Sequence, residues 1–206
     1  ARVYKATIYD LDSRRKNPLF FYERTETGDK SDKKVEARFT DPQGAVAASE
    51  KLTYVNGALQ KYEYAQQQKK ESGVIEFKDR RFKMTFINSE GKTRSEEQGL
   101  PDNLVVGPTI LYYLEDHWSQ LLSGQDLPVR VVVLDRTDTF GFKFSLEGEE
   151  QIDGKPALIV KLKPTSFFIS AVVPPIYFYF DKATRELLLS KGRTLLRYQR
   201  DNKWQD

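Results

Sequence analysis

The chemistry open to this 206-residue chain is narrow, because it has a single histidine, His117, and no cysteine. Thiolate nucleophiles, structural disulfides and Cys-ligated zinc are excluded, and so is any site that needs two imidazoles. His117 follows Asp116 in the sequence, but neighbouring positions on a helix point about 100° apart, so the two form no acid–base dyad. It reads as a helix-surface or interface histidine. Paired carboxylates occur at Glu96-Glu97, at Glu115-Asp116 and at Glu147 with Glu149-Glu150. Glycan hydrolysis needs two carboxyl groups facing each other across a cleft, one with a raised pKa. The pairs here lie in polar stretches with Gly or Lys nearby. The sequence contains neither a G-x-S-x-G elbow nor a Gly-rich phosphate loop. Gly107-Pro108 opens a helix whose first N–H groups are suited to an anion, but a plain structural start is the favoured reading. The chain is therefore expected not to be an enzyme and to use no cofactor and no metal.

The most individual polar stretch is "DRTDTFGFKF", in which Arg136, Thr137 and Thr139 stand between two apolar strands at a hairpin. One reading is a turn held by the Asp135 or Asp138 side chain bonding nearby backbone. The other places Arg136 at the mouth of a cavity, in contact with an anionic head group.

Positioning these residues falls to elements with a dominant period of two. "VYKATIYDL", "LFFYERTE" and "KKVEARFTDP" alternate apolar and polar residues as half-buried strands do. Asn56-Gly57 lies between two further alternating runs, and Asn-Gly supplies the two positive-φ positions of a tight hairpin. The pattern continues through "VIEFKD", "FKMTFIN", "TRSEEQ", "PVRVVVLDR", "DTFGFKFSLEGEE", "PALIVKLK", "IYFYFD", "RELLLSKG" and "TLLRYQRD". The exception is residues 108–123, where Leu111, Leu114, Trp118 and Leu121 recur at helical spacing between Pro108 and Gly124. The expected fold is mainly β: a single domain over residues 1–206 with one large curved antiparallel sheet, an open or half barrel. The amphipathic helix packs in its concavity.

Lys plus Arg number 33 against 30 Asp plus Glu. Basic clusters such as Arg14-Arg15-Lys16 and Lys78-Asp79-Arg80-Arg81 sit among turn residues and acids. They read as solvated loop tips, and no nucleic-acid partner is expected. Against this charged background "SFFISAVVPPIYFYF", residues 166–180, carries no charge at all. It is short of the roughly 20 residues a transmembrane helix needs, and Pro174-Pro175 breaks it, so no membrane span is expected. Ile176, Phe178 and Phe180 alternate as a strand. For the eight residues before the prolines, period alone leaves a core element, an apolar lid over a pocket, or a membrane-surface insert.

The run from "NLVVGPTILYYLEDHW" through "RTDTFGF" to "PPIYFYFDKATRELLLSKGRT" resembles a family of uncharacterised bacterial proteins that are exported or envelope-associated. The similarity covers residues 100–194, and the N-terminal half shares only its strand meander. Its markers are "VGP", Trp118, R-x-x-T-x-G-F from Arg136 to Phe142, "PPI" and "GRT"; none is catalytic. More distantly, a curved sheet with a helix in its hollow is similar to the lipoprotein-carrier folds of LolA and LolB type. These resemblances imply a periplasmic or otherwise exported protein that binds a lipid or other apolar ligand between helix and sheet. Tyr113, Leu114 and Trp118 would line the ligand from the helix, Phe167, Phe168, Val172, Val173 and Ile176 would form the lid, and Arg136 would meet a head group. The alternative is a structural module that contacts another envelope protein and holds no small ligand. A glycan-active hydrolase ranks behind both.

Overall fold

A computed structural model describes residues 1–200 and 203–205. They form two compact units interleaved along the chain. The first gathers residues 1–100 and 134–138 with the segment that begins at Thr194, and the second gathers Pro101–Val133 and Thr139–Arg193.

The first unit is built on eight strands: β1 (Arg2–Tyr9), β2 (Pro18–Gly28), β3 (Lys33–Thr40), β4 (Val46–Val55), β5 (Ala58–Gln66), β6 (Glu71–Lys78), β7 (Arg81–Ile87) and β8 (Thr93–Gly99). Each pairs antiparallel with the next, in the order of the sequence. Turn chemistry sets this register. Asn56 and Gly57 take φ values of 51° and 76°, which closes the β4–β5 hairpin with the turn whose twist matches the strands. Asp79 and Arg80, at 50° and 57°, make the same kind of turn between β6 and β7 without a glycine. One face carries Val35, Ala37 and Phe39 from β3, Ile75 and Phe77 from β6, and Phe82, Met84 and Phe86 from β7, all buried. Leu134 lies against Gly73 on β6, where a Cβ would come within 2.4 Å of the leucine side chain. Gln66 Nε2 donates to the Leu195 carbonyl oxygen (3.1 Å), and Leu196 joins the cluster formed by Phe20, Phe39, Ala47 and Ala48.

In the second unit the elements are β9 (Leu104–Val105), α1 (Thr109–Asp116), α2 (Trp118–Leu122), β10 (Leu127–Val133), β11 (Asp138–Ile152), β12 (Lys155–Pro164), α3 (Phe167–Ser170), β13 (Ile176–Asp181) and β14 (Leu187–Lys191). The sheet runs β14-β13-β12-β11-β10-β9. β11 with β12, β12 with β13 and β13 with β14 pair antiparallel, and β9 pairs parallel with β10. A short ribbon, β15 (Tyr198–Arg200) with β16 (Lys203–Gln205), completes the described strands.

The antiparallel, mainly β class expected from the two-residue period is the one observed, with three refinements. The strands divide between two main sheets, because β8 carries Thr, Arg, Ser, Glu and Gln on both faces and so ends the meander as a polar edge. The expected helix over residues 108–123 is broken at His117, whose φ of −108° and ψ of 15° separate α1 from α2. The break has a local cause. His117 Nδ1 lies 2.8 Å from the Tyr113 carbonyl oxygen, which also accepts the His117 backbone N–H at 3.1 Å, and the imidazole stacks on the Tyr113 ring at 4.1 Å. A carbonyl oxygen only accepts, so Nδ1 carries the proton. A side chain bonded to the carbonyl one turn back bends the helix that carries it. Third, of the strand expected over "TLLRYQRD" only Tyr198–Arg200 is extended, and Asp201 lies outside the described residues.

Candidate functional site

The uncharged stretch that the two-residue period left open becomes a short, built tip on the second unit. At its base Thr165 N–H donates to the Gly141 carbonyl oxygen (3.0 Å). A Cβ at 141 would stand 2.6 Å from Thr165 Oγ1, so a larger residue there would have to displace that side chain. Two residues earlier on β11, Thr139 Oγ1 accepts from Arg130 Nε (3.1 Å) and Nη2 (2.7 Å), tying β10 to β11. Thr139 and Gly141 of the R-x-x-T-x-G-F run are thus structural, one clamping a neighbouring strand and the other making room for the tip. Next comes α3. Ser170 N–H donates to Ser166 O (2.9 Å), Ala171 to Phe167 O (3.2 Å), and Val172 and Val173 to Ile169 O (3.1 and 2.8 Å). Pro174 and Pro175 have no N–H to satisfy. From Ser170 to Pro175, therefore, no backbone donor lacks an acceptor.

What this tip presents is apolar. Phe167, Phe168 and Val172 are 82%, 84% and 77% exposed, and the two rings meet edge to face at 6.0 Å. Val173 is half-buried, and so is Ile176, which packs against the core of the second unit. Of the expected lid residues, three point to solvent and two root the tip.

Residues expected to line a ligand from the helix are instead in the core of the second unit. Leu114 and Trp118 retain 1% and 4% of their exposure and pack with Leu121, Val129, Phe144, Val160 and Phe178. The Trp118 indole meets Phe180 edge to face at 5.1 Å. Tyr113 is half-buried, with its ring stacked on His117 and its hydroxyl donating to the Pro128 carbonyl oxygen at 3.4 Å. Arg136 belongs to the first unit. It is exposed beside an open hollow of about 440 Å³ lined by Arg94, Glu96, Gln98, Thr137 and Asp138, a polar surface with both signs of charge.

A second feature, on the first unit, escaped the sequence reading. Register places Arg24 beside Ala37, Ala37 beside Glu50, Glu50 beside Tyr64 and Tyr64 beside Gly73, in one row across β2 to β6. Arg24 and Glu50 are buried. The Tyr62 hydroxyl donates to Glu50 Oε1 at 2.8 Å. Arg24 Nε lies 3.3 Å from Glu26 Oε1, and its guanidinium stacks 4.2 Å from the Tyr4 ring centre. Burial pushes the Glu50 carboxyl up to about 7, against the opposing pull of the Tyr62 hydrogen bond and the Arg24 charge. Burial likewise raises Tyr62 well above the ordinary phenol range, with the Glu50 carboxylate adding to it. The signal was parity: Glu50 alternates in step with the apolar Ala48 and Leu52, and Arg24 with Phe20 and Tyr22. A carboxyl titrating near neutrality suits acid–base chemistry, but a catalytic acid must reach a substrate, and this one is only 5% exposed.

Among the other carboxylates, Asp181 is buried and accepts from the Ala183 and Thr184 N–H groups at 2.8 and 2.9 Å. Glu97 pairs with Arg81, whose hydrogen bond and charge hold it below the usual range, and Glu149 pairs with Lys182 at 2.6 Å. Among the described residues no group of three or more His, Asp or Glu is placed to hold a metal, and no helix is long and apolar enough to cross a membrane.

No family model and no curated protein matches the chain. Among solved structures it is similar to a β-barrel-like protein of a domain of unknown function, DUF1849, from Brucella abortus. The identity is 8% and the TM-score 0.44, over 86% of this chain and 84% of that one.

Proposed function

We propose that this is a non-enzymatic binding protein of the bacterial envelope, periplasmic or otherwise exported, that engages lipid through the tip at residues 166–175. The observation that carries the reading is the exposure of Phe167, Phe168 and Val172 on a turn of helix whose base is hydrogen-bonded to β11. A surface that isolates apolar side chains on a rooted projection is suited to burying them elsewhere. Each phenyl ring transferred from water stabilises the bound state by about 2 kcal/mol before the costs of association. The envelope location rests on the family resemblance of residues 100–194. Placing the lipid at the tip, and not between helix and sheet, follows from Leu114 and Trp118 already packing inside the core.

Phe168→Trp provides the test. Trp118 is buried and Trp204 is the only other native indole, so a new indole at 168 reports on the tip. On addition of neutral phosphatidylcholine vesicles its emission is expected to shift to the blue and its quenching by iodide to fall. An emission spectrum indifferent to vesicles and to detergent micelles sinks the reading.

A further inference from the structure

Resting on that lipid-binding reading, we infer that the tip recognises an anionic lipid surface: Phe167, Phe168 and Val172 enter the apolar layer while Lys163, Lys191 and Arg193 meet the headgroup phosphates. The argument begins with charge. The strand ends that border the tip, residues 139–143, 161–165, 176–177 and 190–193, contain Lys143, Lys161, Lys163, Lys191 and Arg193 and no Asp or Glu. Register brings them together. Lys143 lies opposite Lys163, Lys161 opposite Tyr177, and Tyr177 opposite Lys191. The backbone of Ile176 comes within 3.1 Å of the space above Gly192, which sets Arg193 beside the root of the tip. Asp126 pairs with Lys143, and Glu147 with Lys161 at 3.5 Å, from outside these strand ends. The Lys191 ammonium lies over the Tyr179 ring, 4.8 Å from its centre, at the surface of the sheet. An uncharged apolar projection bordered by Lys163, Lys191 and Arg193, beside the ion-paired Lys143 and Lys161, is complementary to a phosphate plane over hydrocarbon.

The backbone of the tip fits the same partner. A peptide N–H carried into hydrocarbon without an acceptor is strongly disfavoured. Here the donors of residues 170–173 are bonded within the tip, and 174 and 175 are prolines. For residues 170–175 that demand is met within the tip.

Cosedimentation of the full chain with two kinds of vesicle, phosphatidylcholine alone and phosphatidylcholine mixed with phosphatidylglycerol, tests the inference. At low salt the mixed vesicles are expected to bind roughly a hundredfold more tightly, the factor that three cations near an anionic surface supply. Raising the ionic strength from about 0.1 M to about 1 M shortens the screening length from about 10 Å to about 3 Å and should erase that preference. Combined Lys163→Gln, Lys191→Gln and Arg193→Gln should remove the preference and leave binding to neutral vesicles unchanged. Phe167→Ser with Phe168→Ser should weaken binding to both vesicles by about tenfold or more. Equal binding to both vesicles by the parent, or a preference that survives the triple Gln variant, overturns the anionic inference while leaving the lipid-binding tip standing. Undiminished binding by the double Ser variant overturns the tip itself. Absence of binding to either vesicle, with a photoreactive group at 168 crosslinking to a protein, overturns both in favour of a protein partner.

Discussion

In the first unit a carboxyl and a guanidinium, Glu50 and Arg24, keep 5% and 6% of their exposure; in the second, the phenyl rings of Phe167 and Phe168 keep more than four-fifths. Both regions depart from the ordinary partition of charge outward and apolar surface inward, and they do so differently. The desolvation of Glu50 is partly offset inside the chain, by the Tyr62 hydroxyl at 2.8 Å and by the charge of Arg24. Nothing comparable offsets the exposure of the two rings, which meet each other and the solvent. A misplaced group with its partner in the same fold is structural; one whose partner lies outside the fold marks where the fold meets something else. Stability should therefore respond to the first region, and binding to the second.

The largest loss of stability is expected where the second unit is packed. Trp118→Ala removes an indole held among Leu121, Phe178 and Phe180, and should lower unfolding free energy by about 4 kcal/mol in a denaturant titration. A loss under about 1 kcal/mol would show that Trp118 lines a space and not a core.

Next in size is the pH dependence of the first unit. Burial sets the folded pKa of Glu50 at about 7, against 4.5 for an ordinary glutamate. Between those values the folded chain binds a proton that the unfolded chain has released, so stability is greatest below pH 4.5 and falls as pH rises to about 7. The difference corresponds to about 3 kcal/mol. Glu50→Gln keeps an acceptor for Tyr62 and abolishes the charge. It should raise unfolding free energy at pH 8 by about that amount and change it little at pH 4, as denaturation at the two pH values would reveal. A variant less stable than the parent at pH 8 means that attraction to Arg24 outweighs burial.

Tyr62→Phe should cost about 2 kcal/mol at pH 8, where the hydroxyl donates to a carboxylate, and nearer 1 kcal/mol at pH 4, where the carboxyl is neutral. A cost independent of pH would detach Tyr62 from the titration of Glu50. Smallest is the effect on stability of Phe167→Ser with Phe168→Ser. Exposed side chains contribute within about 0.5 kcal/mol, so the melting temperature should barely move while vesicle binding falls. A large drop would place the rings in the fold and erase the contrast between the two regions.

Local chemistry made much of this fold legible. Alternation located the strands, and Asn56-Gly57 named a turn whose positive φ values are observed. Leu114, Trp118 and Leu121 were correctly grouped on one helical face, because that spacing depends on the helix alone. The interruption at His117 was not legible, since it turns on a ring that bonds back to the Tyr113 carbonyl. Nor was the buried row. Arg24 and Glu50 stand at apolar parity in their own strands, but a half-buried strand also tolerates charge, and only pairing across β2 to β6 sets them in one enclosed row.

By itself, then, the sequence determined most of the strands, the helical face around Trp118 and the absence of thiol and two-imidazole chemistry, because period, turn type and composition are properties of short segments. The tertiary structure decided the fates of the apolar residues that the sequence could not rank. Trp118 and Phe168 are both aromatic and both lie in short helical segments. One was enclosed because α2 docks on a sheet, and the other was left outside because Gly141 and Thr165 hold α3 beyond the end of β12. Burial is a property of what arrives from elsewhere in the chain, and no local pattern encodes it.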